Sequence, residues 1–160
     1  MNVQQKEKGF TIIEVVLVLA IAGLIFLMVF IALPALQRSQ RDSQRKNDLS
    51  RAQTALTNYS SVNRGTVPKA TVSDLNNFTT SFLKSEGDSF ADPSGSDYIW
   101  DVSKSPKDTI DASFSNDSPK IYYILGAKCG SDGAQTESAG SRIASMQMVL
   151  EGGGVACVNN

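Results

Sequence analysis

The stretch "GFTIIEVVLVLAIAGLIFLMVFIALP", residues 9 to 34, decides how this chain is organised. From Val15 to Leu33 it has nineteen consecutive residues without a charged or polar side chain. At about 1.5 Å per residue, a helix of that length reaches roughly 28 Å, close to the hydrocarbon thickness of a bilayer. A membrane-spanning helix is therefore predicted. One carboxylate, Glu14, lies inside the apolar run that begins at Phe10.

A removable secretory signal is the plainer interpretation of an apolar run near an N-terminus. The apolar part of such a signal has about 7 to 15 residues and ends at small residues. This run is longer and continues into more helix-favouring sequence. The membrane-spanning interpretation is therefore favoured.

The helix is predicted to continue beyond Pro34 to about Ser61. The stretch "LQRSQRDSQRKNDLSRAQTALTNYSSVN", residues 36 to 63, contains no Gly or Pro and is rich in Gln, Arg, Lys, Leu and Ala. Apolar side chains recur in it at intervals of three and four, at Leu49, Ala52, Leu56 and Tyr59. This spacing predicts an apolar stripe that packs against another layer.

A small α+β domain is predicted to follow. Gly65 and Pro68 end the long helix. A short amphipathic helix is expected in residues 73 to 87, with Ser73 as its cap, and "DPSG", residues 92 to 95, indicates a turn. Four strands are expected, at residues 98–102, 120–129, 142–151 and 154–159, the last two joined by a hairpin at Gly152 and Gly153.

The predicted fold class is α+β, a long N-terminal α-helix packed on a small C-terminal antiparallel β-sheet. Its segments are a short N-terminal stretch (1–9), an apolar membrane-spanning helix (10–36), an amphipathic continuation of that helix (37–62), a loop region with a short helix (63–97) and the sheet (98–160).

Charge is divided along the chain, with a net charge of +3 over residues 37–62 and −4 from Asn63 onward. The basic residues on the helix are Arg38, Arg41, Arg45, Lys46 and Arg51. Clustered Arg and Lys on a helix can bind the phosphates of nucleic acid or of lipid headgroups. The Gln and Asp residues interleaved with these cations favour instead a solvated face that pairs with neighbouring subunits. Binding of nucleic acid remains the alternative.

Catalysis is not indicated, because the chain has no His, no phosphate-loop Lys motif and no Cys-x-x-Cys. Carboxylates such as Asp88 and Asp92 are interpreted as solvated loop charges. No cofactor and no metal are predicted. Calcium is a minor alternative, since Asp88, Asp92, Asp97 and Asp101 could offer oxygens but match no calcium-loop spacing.

Glu14 requires a partner if it enters the membrane. A carboxylate at the centre of a bilayer costs about 2.5 to 3.5 kcal/mol on the most lenient insertion scale, so such charges generally have partners and functions. The alternative is an interfacial Glu whose side chain reaches the headgroups.

The string "KGFTIIEVVLVLAIAGLI", Lys8 to Ile25, resembles the class III signal and N-terminal helix of type IV pilins. It has a short basic leader ending in Gly, then Phe, and Glu as the fifth residue of the mature chain. The resemblance covers about the first 36 residues. It implies that a prepilin peptidase cleaves between Gly9 and Phe10 and methylates the new amine of Phe10. It also implies that Glu14 attracts the Phe10 amine of a neighbouring subunit.

The resemblance further implies a structural subunit, not an enzyme, that assembles with copies of itself into a helical filament. The other implied partners are the membrane before assembly, an assembly platform protein and an ATPase. The precursor and subunit pool would lie in the cytoplasmic membrane, and the assembled pilus outside the cell, for adhesion, motility or DNA uptake. The alternatives are a pseudopilin of a type II secretion or competence machine and a signal-anchored protein that never polymerises.

One departure from the family concerns the helix break. The kinking Pro of the family usually follows, by eight residues, the Gly that corresponds to Gly23, whereas Pro34 follows it by eleven. Gly23 and Pro34 are the candidate positions of a break in the assembled filament, with Leu24 to Leu33 as the segment that would lose its helical structure.

The only two cysteines, Cys129 and Cys157, each fall at or near the end of a predicted strand. We expect them to form a disulfide that ties the last strand to the sheet. Two buried thiols are the alternative.

Overall fold

The computed structural model describes residues 9–84, 89–111, 113–131 and 133–160. The chain divides into two compact units, one that ends at Gln37 and one that runs from Arg38 to Asn160. Helix α1 is Ile12–Val62. Within residues 9–84 this helix is continuous through Gly23 and Pro34. The break at these two residues is therefore not a feature of the single chain, and it stays a prediction for the filament.

A short second helix, α2, is Val72–Phe78, and one π-helical turn, Thr79–Leu83, follows it. The N-cap of α2 is Thr71. The Thr71 hydroxyl accepts a hydrogen bond from the N–H of Asp74 at 3.2 Å and donates one to the Asp74 carboxylate at 2.7 Å. The prediction of Ser73 as the cap was wrong. The spacing of three between Thr71 and Asp74 is the usual N-cap spacing, and it places the start two residues earlier.

Six strands make up the β-structure of the described residues. They are β1 Ile99–Asp101, β2 Lys120–Leu125, β3 Ala127–Cys129, β4 Thr136–Ser138, β5 Ala144–Val149 and β6 Val155–Asn159. One sheet has the order β1-β2-β5-β6, and β3 pairs with β4 in a second, two-stranded sheet. The pairs β2–β5 and β5–β6 are antiparallel, as predicted, whereas β1 and β2 are parallel.

The α+β layout is confirmed, with three differences inside the β-structure. The sheet is mixed because the chain crosses over through residues 102–119 before β2, and a parallel pair needs a crossover of about a dozen residues or more. The strand predicted at 120–129 is divided at Gly126, whose φ of +73° ends β2 and redirects the chain into β3. Strand β4 has three residues, too few for an alternating pattern to predict it.

The apolar stripe of α1 packs as predicted. Leu49, Ala52 and Leu56 are buried, and the partly buried Tyr59 packs at the edge of the same cluster. Most of the rest of this core comes from α2 and from one face of the sheet, through Leu75, Phe78, Trp100, Ile121, Tyr123, Met146 and Met148. The stripe and the sheet therefore bury each other's apolar surface, which is the main favourable contribution to folding of this unit.

A disulfide joins Cys129 in β3 to Cys157 in β6, with 5.9 Å between the two Cα atoms. It ties the two-stranded sheet to the edge of the four-stranded one. Two hydrogen bonds lie near this disulfide. The N–H of Cys129 donates to the Asn159 side chain, and Gln53 of α1 donates to the Asn159 carbonyl oxygen. Strand β6 is thus held by β5, by β3 and by α1.

Candidate assembly site

The residues that the sequence assigns to processing lie just before helix α1. Gly9 and Phe10 have no helical structure, and α1 begins at Ile12. The side chain of Phe10 is 89% exposed. The bond between Gly9 and Phe10 therefore lies in non-helical, accessible backbone.

Glu14 lies in the first turn of α1 and is bonded to Thr11. The backbone N–H of Thr11 donates to Oε2 of Glu14 at 2.9 Å, and the Thr11 hydroxyl donates to the same oxygen at 2.8 Å. A carboxylate here satisfies an N–H that has no partner within the helix, and it interacts favourably with the helix dipole. Glu14 therefore closes the N-terminus of its own helix, a role that the sequence analysis missed. The three-residue spacing between Thr11 and Glu14 was the available signal.

The first unit exposes apolar side chains on all sides of α1. Its large apolar residues from Ile12 to Leu36 are each about half exposed or more. A helix that is apolar all round belongs in lipid or in the interior of an assembly. By length and composition alone, α1 is the one helix in the described part of the chain that could cross a membrane.

The basic residues that follow are mostly engaged within the second unit. Arg45 is 0% exposed. Its Nε and Nη2 donate to the two carboxylate oxygens of Asp92 at 2.6 and 3.0 Å, and its Nη1 donates to Asp42 at 3.0 Å. The guanidinium also lies over the ring of Phe114, 4.4 Å from the ring centroid. Arg45 is therefore a buried cation shared by several segments, not part of a solvated face.

Glu151, in the turn between β5 and β6, receives the neighbouring arginine. Arg41 donates to it through Nε at 2.8 Å and through Nη2 at 2.6 Å, and Arg45 Nη1 is 3.2 Å away. The hydrogen bonds from Arg41, with those from Arg45, lower the pKa of Glu151 to about 2. Glu151 is thus ionised at any pH near neutrality, as the bidentate geometry requires.

The charges of Arg45 and Asp92 are fixed by the same contacts. Burial alone would lower the pKa of Arg45, but its hydrogen bonds to Asp92 and Asp42 outweigh burial and raise it. Burial alone would raise the pKa of Asp92, but the hydrogen bonds from Arg45 and from Ser94 hold it below its ordinary value. Both groups therefore stay charged in the folded protein.

Two interpretations of charged residues change with this geometry. Asp92 is 3% exposed, so it is a buried ion-pair partner and not a solvated loop charge. Asp88 lies outside the described residues. No group of three or more potential metal-binding side chains occurs in the part of the chain that the structure describes. The basic stripe is not a continuous phosphate-binding face either, since Arg41, Arg45 and Arg51 all pair with carboxylates.

The spacing of α1 contained a signal for Arg45. Asp42 and Arg45 extend the stripe of Leu49, Ala52 and Leu56 toward the N-terminus at the same intervals of three and four. All five are buried. The inward face of the helix therefore changes from apolar to ionic without changing its period, and a search for apolar residues alone stops at Leu49.

Comparison with known proteins gives one match. Residues 4–30 match the prokaryotic N-terminal methylation motif, which includes the Gly9–Phe10 junction, Glu14 and most of the apolar run. No curated protein and no solved structure matches the chain. The motif marks structural proteins that a prepilin peptidase processes and that assemble into pilus-like oligomers. The chain therefore carries, at its N-terminus, the class III signal of type IV pilins and prepilin-like proteins.

Proposed function

We propose that this chain is a pilin, the structural subunit of a type IV pilus. A prepilin peptidase cleaves it between Gly9 and Phe10 and methylates the Phe10 amine, and the mature chain polymerises through the first part of α1. The observation that carries this proposal is the methylation motif over residues 4–30, continued by a helix that is apolar all round.

The chemistry of Glu14 supports assembly through contacts between the N-terminal ends of α1 in neighbouring copies. Cleavage creates a positive amine at Phe10, and each copy carries one carboxylate in the first turn of its helix. Opposite charges attract far more strongly in a low-dielectric filament core than in water. A pair between Glu14 of one copy and the Phe10 amine of the next offsets the desolvation of both charges and fixes the axial position of each added subunit.

The exposed apolar surface of the first unit suits both states of such a subunit. Before assembly the helix lies in the cytoplasmic membrane, where its side chains contact lipid. In the filament the same side chains contact other copies of the helix, so little hydrophobic free energy is lost on leaving the bilayer. The remaining partners, a platform protein and an ATPase, supply the work of extraction, and the filament extends from the cell surface.

The proposal is tested by the mass of the mature N-terminal peptide. In material recovered from cells that have a prepilin peptidase, we expect this peptide to begin at Phe10 and to carry one methyl group on the Phe10 amine. The same chain expressed without the peptidase provides the control and should keep residues 1–9. Retention of residues 1–9 in the presence of the peptidase would contradict the proposal.

A further inference from the structure

The part of α1 that opens the second unit has no apolar side chain. Its sequence is "RSQRDSQRKND", Arg38 to Asp48, in which every residue is charged, an amide or a serine. The first apolar residue after it is Leu49, which is buried. Residues 38–48 form what we call the ionic section of the helix, and Leu49–Val62 form its apolar section.

The ionic section contacts the rest of its unit through a small set of polar groups and through the ring of Phe114, which lies against the Arg45 guanidinium. Arg45 binds Asp92 and Glu151, and Arg41 binds Glu151. Asp42 accepts the backbone N–H of Glu151 at 2.9 Å and that of Gly152 at 2.7 Å. Asp48, at the end of the section, accepts the hydroxyl of Tyr98 at 3.0 Å.

Most of these contacts are linked through Arg45, because the carboxylates that make them also bind its guanidinium. Its guanidinium is the common partner of Asp42 on the helix, Asp92 in the loop before β1 and Glu151 in the β5–β6 turn. Removing one member of a buried ion pair leaves its partner charged and desolvated, which costs far more than an exposed pair is worth. Without the Arg45 cation, the carboxylates that contact it are therefore unstable in their buried positions, because nothing offsets their desolvation.

The apolar section is held differently. Leu49, Ala52 and Leu56 bury their side chains against α2 and the sheet, and this contribution does not depend on any charge. The disulfide between Cys129 and Cys157 holds the strands together independently of α1. Loss of the ionic contacts therefore leaves the principal core intact.

We propose that the ionic section is a releasable part of α1, which detaches from the β5–β6 turn as one cooperative unit while the apolar section stays docked. Docking of the ionic section on the β5–β6 turn depends on Arg45. Local opening of this kind is expected where buried apolar contacts are few. The second unit thus has a built-in conformational device, a stretch of helix that can separate from a domain that remains folded.

Two backbone amides report directly on whether the section is docked. The N–H groups of Glu151 and Gly152 both donate to Asp42, so they lose their acceptor when the section detaches. The N–H of Leu150 donates to the carbonyl oxygen of Gly154 within the hairpin, so it stays protected. Leu150 is therefore an internal reference for the integrity of the hairpin, and Leu56 is one for the apolar section.

The experiment is amide hydrogen exchange by NMR on the full chain in detergent micelles, comparing the native sequence with Arg45→Met. We expect exchange at Glu151 and Gly152 to accelerate at least about tenfold, because the section that carries their acceptor, Asp42, detaches more often without Arg45. Exchange at Leu150 and Leu56 should stay within about twofold. Arg41→Met, which removes a partly exposed partner of Glu151, should give a smaller acceleration at the same two amides. Lys128→Met removes the exposed pair with Glu137 and should change none of them.

Two results would overturn the proposal. Equal acceleration at all four amides in Arg45→Met and Arg41→Met would show that the section opens only with the whole domain. Unchanged exchange at Glu151 and Gly152 in both variants would show that the ion pairs do not hold it.

Discussion

Cells whose only copy of this chain carries Glu14→Gln are expected to form no filaments, although the precursor accumulates in the membrane as usual. Gln has nearly the same size as Glu, and its amide oxygen can still accept the hydrogen bonds from Thr11. It cannot attract the Phe10 amine of a neighbouring copy by charge. Insertion into the membrane becomes easier if anything, because a charge in the bilayer has been removed.

The two roles of Glu14 make this substitution more informative than Glu14→Val, which removes both the charge and the helix-closing hydrogen bonds. The measurement is the amount of filament in sheared surface material, relative to the amount of chain in the membrane fraction. Ile13→Val, a conservative change at the adjacent exposed apolar position, provides the control and should assemble normally. Normal filament numbers with Glu14→Gln would show that the pairing of charges between copies is not required.

The double substitution of Cys129 and Cys157 by Ser is expected to lower the free energy of unfolding of the second unit by about 3.5 kcal/mol. The bond closes a loop with a sequence separation of 28 residues, and the chain-entropy relation gives that value for a loop of this length. The total free energy of unfolding of a small domain is about 5 to 15 kcal/mol, so the expected loss is a large fraction of it.

Urea denaturation of the full chain in detergent, followed by tryptophan fluorescence, measures this loss. Trp100 is buried in the core of the second unit, so its emission reports unfolding of that unit. Ser145→Ala, in the neighbouring strand β5, provides a control in which the disulfide is unchanged. If the free energy of unfolding of the double Cys variant falls by less than about 1 kcal/mol, the disulfide does not restrict the unfolded chain as the loop-closure argument requires.

Much of the fold could be predicted because its elements have strong periodic or compositional signals. The uninterrupted apolar run to Leu33, the stripe from Leu49 to Tyr59 and the absence of Gly from residues 36–63 predict a long helix with one inward face. The pair Gly152 and Gly153 placed the β5–β6 hairpin correctly. These features are local, so one sequence is enough to reveal them.

The features that the sequence analysis missed depend on contacts between distant segments. The partners of Arg45 lie 47 and 106 residues away, at Asp92 and Glu151, and no spacing rule links them. The parallel direction of β1 follows from the path of residues 102–119, which the strand patterns do not encode. At the candidate assembly site, the sequence was enough to recognise the motif from Gly9 to Glu14. The hydrogen bonds between Thr11 and Glu14 depend on where the helix begins, which only the structure gives.

The central claim, that this chain is the subunit of a surface filament, is tested most directly by electron microscopy and protein identification on sheared surface material. The account predicts abundant long filaments whose main component is this chain, and their loss when Glu14 is replaced by Gln. Only short or rare filaments, with most of the chain kept in the membrane fraction, would contradict a pilin and favour the pseudopilin alternative. A mature chain that keeps Met1 and stays in the membrane would contradict both.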